Sequence, residues 1–170
     1  MTKPKRRERG EQMATLQGNV QPIKLKYSVH QALGKHLLSC YPHEACGILL
    51  GAAAAGGMRI DTYVPMRNVA PDPLHAFIPD PKKWIDALYN ETNLIGLFHS
   101  HPNASPVPSV ADLNGLSALG PEFKVYLIGS PGSDENYSPV INGYYIERLP
   151  EFRGKPAHRL LQAPLHVLLK

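Results

Sequence analysis

Apolar side chains recur at helical spacing in three segments of the chain, at residues 28–41, 81–91 and 109–119. Ser28 is a candidate N-cap for the first segment, and the third begins at Ser109 after a proline-rich loop. A proline follows the first segment and a Gly-Pro pair follows the third, and both are typical helix stops. We therefore predict three amphipathic helices.

Five other segments are apolar enough to predict β-strands, at residues 45–50, 58–65, 94–100, 124–129 and 140–146. The glycine-bounded stretch between the first two predicts a hairpin turn. The last twenty residues are ambiguous, because their leucines and valine allow either a short helix or an edge strand.

The alternation of helices and strands predicts an α/β fold with three layers, in which helices cover both faces of one mixed sheet. Because domains usually contain about 100–200 residues, a chain of 170 residues has room for one domain. We expect that domain to occupy residues 23–150. Residues 1–22 then form an N-terminal tail, and residues 151–170 form an extension that packs on the same domain.

The formal net charge of +4 is concentrated at the N-terminus. The first ten residues contain five of the 18 basic residues and one of the 14 acidic residues, so the rest of the chain is neutral. This pattern predicts a solvated, disordered basic tail and makes a nucleic-acid partner unlikely. A nucleic-acid-binding arm remains the alternative, and salt-dependent binding lost on deletion of residues 1–10 would support it.

Several sequence features favour a cytoplasmic protein without a membrane partner. No apolar run reaches the roughly 20 residues of a membrane-spanning helix, and nothing near the N-terminus resembles a secretory signal. Two cysteines, Cys40 and Cys46, cannot form a disulfide framework, so a reducing compartment fits best. We expect Cys46 to be a core residue, with a redox-sensitive thiol, a disulfide to Cys40 or a distant zinc partner as alternatives.

The clearest candidate site is the histidine pair His99 and His101 at the end of a predicted strand. Side chains two residues apart on a strand point to the same face, so these imidazoles can bind one cation. Asp112 falls in the first turn of the next predicted helix, where it can add a carboxylate oxygen. Two nitrogens and one oxygen leave a fourth tetrahedral position for water, which is typical of catalytic zinc.

Hydrolysis at such a zinc site also needs a base that accepts the proton of the bound water. Glu44 is the candidate, because it lies at the head of the apolar strand 45–50. The spacing of Ser109 and Asp112 also resembles a capping box at a helix start, and that structural role is compatible with metal binding.

These residues resemble the motif of the JAMM/MPN+ metallopeptidases: His-Ser-His-Pro at residues 99–102, Ser109 and Asp112 downstream, and Glu44 upstream. The resemblance covers about residues 24–148. It is strongest to compact prokaryotic members, including those that process ubiquitin-fold sulfur-carrier proteins.

The resemblance implies a cytidine-deaminase-like α/β/α fold and one zinc ion bound by His99, His101 and Asp112. It further implies that Glu44 is the general base and that Ser109 helps to stabilise the tetrahedral oxyanion. Members of this family hydrolyse amide or isopeptide bonds at the C-terminal Gly-Gly of ubiquitin or a ubiquitin-like protein. We therefore expect a ubiquitin-fold protein substrate with a Gly-Gly tail, recognised through the loops at residues 68–81 and 131–139.

Other functions are weighed against this one. A deubiquitinase acting on ubiquitin conjugates is the nearest alternative, although the long insertions of eukaryotic deubiquitinases are short or absent here. A non-catalytic MPN scaffold module is a second alternative. Two other zinc hydrolase patterns are excluded. His43-Glu44 lacks a histidine three residues on, which excludes a helical His-Glu-x-x-His site, and no Pro-Cys-x-x-Cys sequence is present, which excludes a nucleobase deaminase.

Overall fold

Eight strands, three α-helices and one 3₁₀ turn make up the described part of the chain, residues 20–134 and 138–169 of a computed structural model. In chain order these elements are β1 (Ile23–Lys26), α1 (Tyr27–Cys40), β2 (Cys46–Ala54), β3 (Gly57–Met66), α2 (Pro81–Asn90), β4 (Leu94–Ser100), α3 (Val110–Gly115), the 3₁₀ turn (Leu116–Ala118), β5 (Val125–Ser130), β6 (Val140–Phe152), β7 (Lys155–Ala163) and β8 (Leu165–Leu168). Most of the expected basic tail, residues 1–19, lies outside the described residues, so its expected disorder stays a prediction.

The described strands form one mixed sheet in the order β7-β6-β5-β4-β2-β3-β1-β8. β2 pairs antiparallel with β3 and β4, whereas β4 pairs parallel with β5. A parallel pair needs a crossover connection, and α3 lies in the segment that joins β4 to β5. The carboxyl end of the central strand β4 therefore leads directly towards α3.

The sheet is curled, so that its two ends approach each other. β7 and β8 lie at opposite ends of the strand order, although Pro164 alone separates them in the chain. Since neighbouring strands are about 4.8 Å apart, one residue cannot span a flat sheet of this width. The Ile23 N–H donates to the Pro164 carbonyl at 2.9 Å, and the Tyr145 hydroxyl of β6 donates to the Pro22 carbonyl at 3.2 Å.

Two hydrophobic clusters hold the helices against the sheet. In the first cluster, Leu33 of α1 packs with Phe98 of β4. In the second, Ala87 of α2 and Leu116 of the 3₁₀ turn pack with Tyr126 of β5. All five side chains are buried. The α/β fold expected from the sequence is thus confirmed as a mixed α/β fold.

The prediction for the N-terminal end of the first helix is wrong. Helix α1 begins at Tyr27 with Lys26 as its N-cap, so Ser28 lies inside the first turn and does not cap it. Residues 23–26 form β1, a strand that was not predicted. β1 pairs in parallel with β3 and β8, and these long-range pairings are invisible to a local hydrophobic pattern.

The hairpin and the third helix also differ from their predicted bounds. β2 continues to Ala54, because residues 51–54 pair with residues 57–60 after a register shift beyond Leu50. The turn is therefore confined to residues 55–56, where Gly56 adopts a positive φ of 72°. The predicted helix over residues 109–119 consists of α3 and the 3₁₀ turn that follows it.

The C-terminal segment forms strands, which resolves the ambiguity between a helix and an edge strand. β6 runs to Phe152, past the expected domain boundary at residue 150. β7 and β8 then supply the two edges of the same sheet. β7 forms a hairpin with the neighbouring strand β6, whereas β8 pairs with β1, which lies far away in sequence.

Both cysteines are free thiols in the structure. Cys46 is buried in the second cluster, so its predicted role as a core residue is confirmed. In the described part of the chain, no helix combines the length and apolar character needed to cross a membrane.

Candidate metal centre and cleft

Three candidate ligands converge at the carboxyl end of β4. His99 lies in β4, His101 directly follows it, and Asp112 lies in α3. The Nε2 atoms of the two histidines are 2.9 Å apart. The Asp112 carboxylate places Oδ1 3.1 Å from Nε2 of His99 and Oδ2 3.3 Å from Nε2 of His101. All three side chains are buried, so the structure brings these predicted residues together.

The spacing of this cluster and the directions of the pKa shifts of Asp112 and His99 are compatible with a zinc site. Donor atoms about 2.1 Å from a tetrahedral zinc ion lie about 3.4 Å from one another, slightly farther apart than these atoms are. Burial raises the pKa of the Asp112 carboxyl, but its close contacts with His101 and His99 outweigh burial and lower that pKa overall. Burial lowers the pKa of His99, which favours the neutral imidazole that a metal requires. The pKa of His101 is shifted the other way: burial lowers it, but contacts with Asp112 and Ser105 raise it overall.

The two imidazole rings are oriented in different ways. Nδ1 of His101 lies 3.0 Å from the Ser105 carbonyl, which can only accept, so Nε2 presents its lone pair to the cluster. Nδ1 of His99 is buried and has no hydrogen-bond partner among the described residues. Packing orients this ring: Phe77 stacks on it with centroids 4.6 Å apart, and Tyr126 approaches edge-on at 5.4 Å.

Ser109 is the N-cap of α3 and forms a capping box with Asp112. The Asp112 N–H donates to Ser109 Oγ at 3.1 Å, and the Ser109 N–H donates to Asp112 Oδ2 at 2.7 Å. Oγ accepts in this arrangement, so the hydroxyl proton of Ser109 is available to donate. Both residues line the same cleft. The predicted capping role is therefore confirmed.

Glu44 reaches the cleft because the next residue, Ala45, is hydrogen-bonded to β4. The Ala45 N–H donates to Ser100 Oγ at 2.8 Å, and the Ser100 N–H donates to the Ala45 carbonyl at 3.0 Å. β2 begins only at Cys46, so Glu44 lies just before the strand and lines the cleft with His101. Burial raises the pKa of the Glu44 carboxyl to about 7. A carboxylate with that pKa can exchange protons near neutral pH.

The cleft has a volume of about 670 Å³. One wall comes from residues 68–79, which we call the wall segment, and it contributes Leu74, His75 and Phe77. His75 is exposed and its Nδ1 lies 2.9 Å from Asp72, so it has an ordinary surface contact as well. The described residues of the second predicted recognition loop, 131–139, do not line the cleft.

Sequence reasoning missed the structural roles of three residues that build this site, although Asn68 and Phe77 lie in the predicted recognition loop 68–81. Ser100 holds the segment that carries Glu44, and Phe77 orients the His99 ring. Asn68 anchors the wall segment through four hydrogen bonds. Ser100 had a usable signal, since it is a polar residue inside a predicted buried strand. Asn68 and Phe77 had none, because their partners lie outside their own segments.

The sequence also matches a known family over most of its length. Residues 26–140 match the model of a family described as prokaryotic homologues of the JAB domain. The chain belongs to this family. All five residues of the cleft proposed from the sequence lie inside the matched JAB domain.

Three related proteins are similar in sequence to part of this JAB protein. A desampylase of Haloferax volcanii is 36% identical over 94 residues, covering 53% of this chain and 64% of the relative. A Thermus thermophilus protein named "Probable TtuB-protein conjugate cleaving protease" is 35% identical over 82 residues, covering 46% and 52%. Tail tip assembly protein K of Escherichia phage N15 is 31% identical over 81 residues, covering 48% and 31%. The matched segment thus spans less than two thirds of each relative.

Solved structures share the fold of this JAB protein. A solution structure of a Desulfitobacterium hafniense protein superposes with a TM-score of 0.64 at 24% identity, covering 87% of this chain and 94% of that one. The crystal structure of a JAB1/MPN domain protein from Archaeoglobus fulgidus superposes with a TM-score of 0.50 at 20% identity, covering 85% and 98%. At these identities the similarity concerns the fold alone.

Proposed function

We propose that this JAB protein is a zinc metallopeptidase that hydrolyses an amide or isopeptide bond at the C-terminal Gly-Gly of a ubiquitin-like or sulfur-carrier protein. The observation that carries the proposal is the convergence of two imidazoles and one carboxylate, all buried, beside a cleft that also contains Glu44. The names of the Haloferax and Thermus relatives, a desampylase and a conjugate cleaving protease, support the same reaction class.

The proposed mechanism assigns a role to each side chain of the cleft. His99, His101 and Asp112 would hold one zinc ion, which activates a water molecule and polarises the scissile carbonyl when it is bound. Glu44 accepts the proton of that water and passes it to the leaving amine, for which a pKa of about 7 is well suited. The Ser109 hydroxyl, whose proton is not used in the capping box, donates a hydrogen bond to the developing oxyanion.

The lining of the cleft supports a substrate tail without side chains. Its walls are mainly apolar, and Trp84, Leu97 and Leu119 lie among the lining residues. A Gly-Gly tail can enter between such walls because its backbone approaches closely and carries no side chain to exclude. Specificity for the folded body of the substrate would then come from the wall segment.

The proposal includes the finer expectations from the sequence. These are a cytidine-deaminase-like arrangement in three layers, a metallopeptidase domain at residues 23–150 with a packed extension at 151–170, and a cytoplasmic location. The activity, substrate and partners of the whole protein are proposals as well.

Metal analysis together with conjugate cleavage tests the proposal. Protein purified without a metal-binding tag should contain about one zinc per chain, and His99→Ala/His101→Ala should contain none. The wild type should cleave a ubiquitin-fold protein extended beyond Gly-Gly, and the double variant should not. If ubiquitin conjugates were cleaved faster than this extended ubiquitin-fold protein, the result would favour the deubiquitinase alternative. Absence of zinc after reconstitution would favour the scaffold alternative.

A further inference from the structure

The side chain of Asn68 joins two parts of the cleft that are far apart in sequence. Its Nδ2 donates to the Glu44 carbonyl at 3.0 Å and to the Ala76 carbonyl at 2.9 Å. Its Oδ1 accepts from the N–H groups of Ala70 and Ile78, each at 3.0 Å. The amide therefore uses both of its donors and both acceptor positions, with three of the four bonds inside the wall segment.

Glu44 is held by the wall segment on both sides of its α-carbon. Its carbonyl accepts from Asn68, and its N–H donates to the Pro73 carbonyl at 2.8 Å. The same segment carries Leu74 and Phe77 to the cleft lining. The main chain of Glu44 and the cleft wall thus form one hydrogen-bonded unit.

We propose that Asn68 is a positioning residue that fastens the Glu44 main chain to the wall segment, and so aims the Glu44 carboxylate into the cleft. This inference rests on the proposed function, in which Glu44 is the base. A consequence is that a substrate that contacts the wall segment also affects the position of the base, because the Glu44 main chain is bonded to that segment at both its carbonyl and its N–H.

Only an amide of this length can make the four bonds. An aspartate keeps the two acceptor bonds to Ala70 and Ile78, but it has no donor for the carbonyls of Glu44 and Ala76. Asn68→Asp therefore keeps the two acceptor bonds inside the wall segment and loses the bonds to the Glu44 and Ala76 carbonyls. Glu44 is then held to the wall segment only through the bond from its N–H to the Pro73 carbonyl. Asn68→Ala removes all four bonds without adding a charge. Asn93→Asp is the matched control, because Asn93 is exposed in the turn before β4.

Hydrogen exchange tests the fastening without any activity measurement. In Asn68→Asp, the Glu44 amide should exchange about tenfold faster than in the wild type, because the bond from the Glu44 N–H to the Pro73 carbonyl opens more often once Asn68 no longer holds the Glu44 carbonyl. Asn93→Asp should leave that exchange rate unchanged. Unchanged Glu44 exchange in both Asn68→Asp and Asn68→Ala would overturn the proposal. If Asn68→Asp does not fold, the exchange rate of the Glu44 amide in Asn68→Ala tests the proposal instead.

Kinetics then separate positioning from a general loosening of the cleft. With zinc content retained, Asn68→Asp should lower kcat by about 10- to 100-fold and change KM little, because a misplaced base slows chemistry. In a Glu44→Gln background the same substitution should have no further effect. An equal loss in both backgrounds, or a loss confined to KM, would overturn the proposal. If Glu44→Gln is itself fully active, the base assignment fails, and the exchange experiment still decides whether Asn68 fastens Glu44.

Discussion

Ser109 and Asp112 accept each other's main-chain N–H groups, at 3.1 Å to Ser109 Oγ and 2.7 Å to Asp112 Oδ2. This reciprocal pair fixes the first turn of α3 and also orients the Asp112 carboxylate. Oδ2 is occupied by the Ser109 N–H, whereas Oδ1 faces His99 at 3.1 Å. One capping box thus serves both helix formation and the ligand cluster.

Asp112→Ala should abolish metal binding as well as weaken the helix start. Loss of the carboxylate removes one of three ligands, so zinc content should fall below about a tenth of an equivalent after dialysis. Asp80→Ala is the matched control, because Asp80 caps α2 through Lys82 and Lys83 N–H groups and lies outside the ligand cluster. Elemental analysis of both variants checks the prediction. Full zinc occupancy in Asp112→Ala would leave Asp112 with the capping role alone.

Ser109→Ala should lose the hydroxyl donor and keep metal binding. The loss of the cap should lower the free energy of unfolding by about 1 kcal/mol. The loss of the donor should lower kcat by about 10²- to 10³-fold at unchanged zinc content. Ser109→Thr keeps a hydroxyl and a capping oxygen, so it should retain much more activity. Equal activity of the two variants would remove Ser109 from the reaction.

Glu44→Gln should keep the metal and lose activity. The neutral amide cannot accept the proton of water, so kcat/KM should fall by about 10²- to 10⁴-fold. Glu91→Gln, at the end of α2 and outside the cleft lining, should behave like the wild type. Steady-state cleavage assays with parallel zinc analysis check this. Turnover by Glu44→Gln at the wild-type rate would exclude Glu44 as the base.

His36 should make stability depend on pH. Burial lowers the pKa of this imidazole, whose Nδ1 lies 2.7 Å from the Tyr63 hydroxyl. The unfolded chain therefore binds a proton more readily than the folded protein, and stability is lost as the pH falls below about 6.5.

Urea unfolding of the wild type and His36→Gln measures this contribution. Between about pH 7.5 and about pH 5.5, the midpoint of the wild type should fall more than that of the variant. Parallel curves for the two proteins would assign the pH dependence to other groups.

Much of the fold followed from local patterns. The segments predicted as α1, α2, β4 and β5 differ from the observed elements by at most one residue at each end. Each has a strong hydrophobic period or a clear stop signal, and both act within a few residues. β1 and β8 lack such signals, because their pairing partners lie far away in the chain. β7 pairs with the neighbouring strand β6 across a turn at residues 153–154, but the apolar residues of its segment did not distinguish a strand from a helix.

The sequence by itself determined the set of chemical groups: two histidines two residues apart, an aspartate in a helix start, a serine cap and an upstream glutamate. These could be recognised because residue type and short spacing are enough to specify a ligand set. Only the tertiary structure decided that Glu44 lies beside the cluster and that Phe77 and Asn68 support it. Those contacts depend on β2 pairing with β4 and on the closure of the wall segment, and hydrogen bonds between distant segments leave no local pattern.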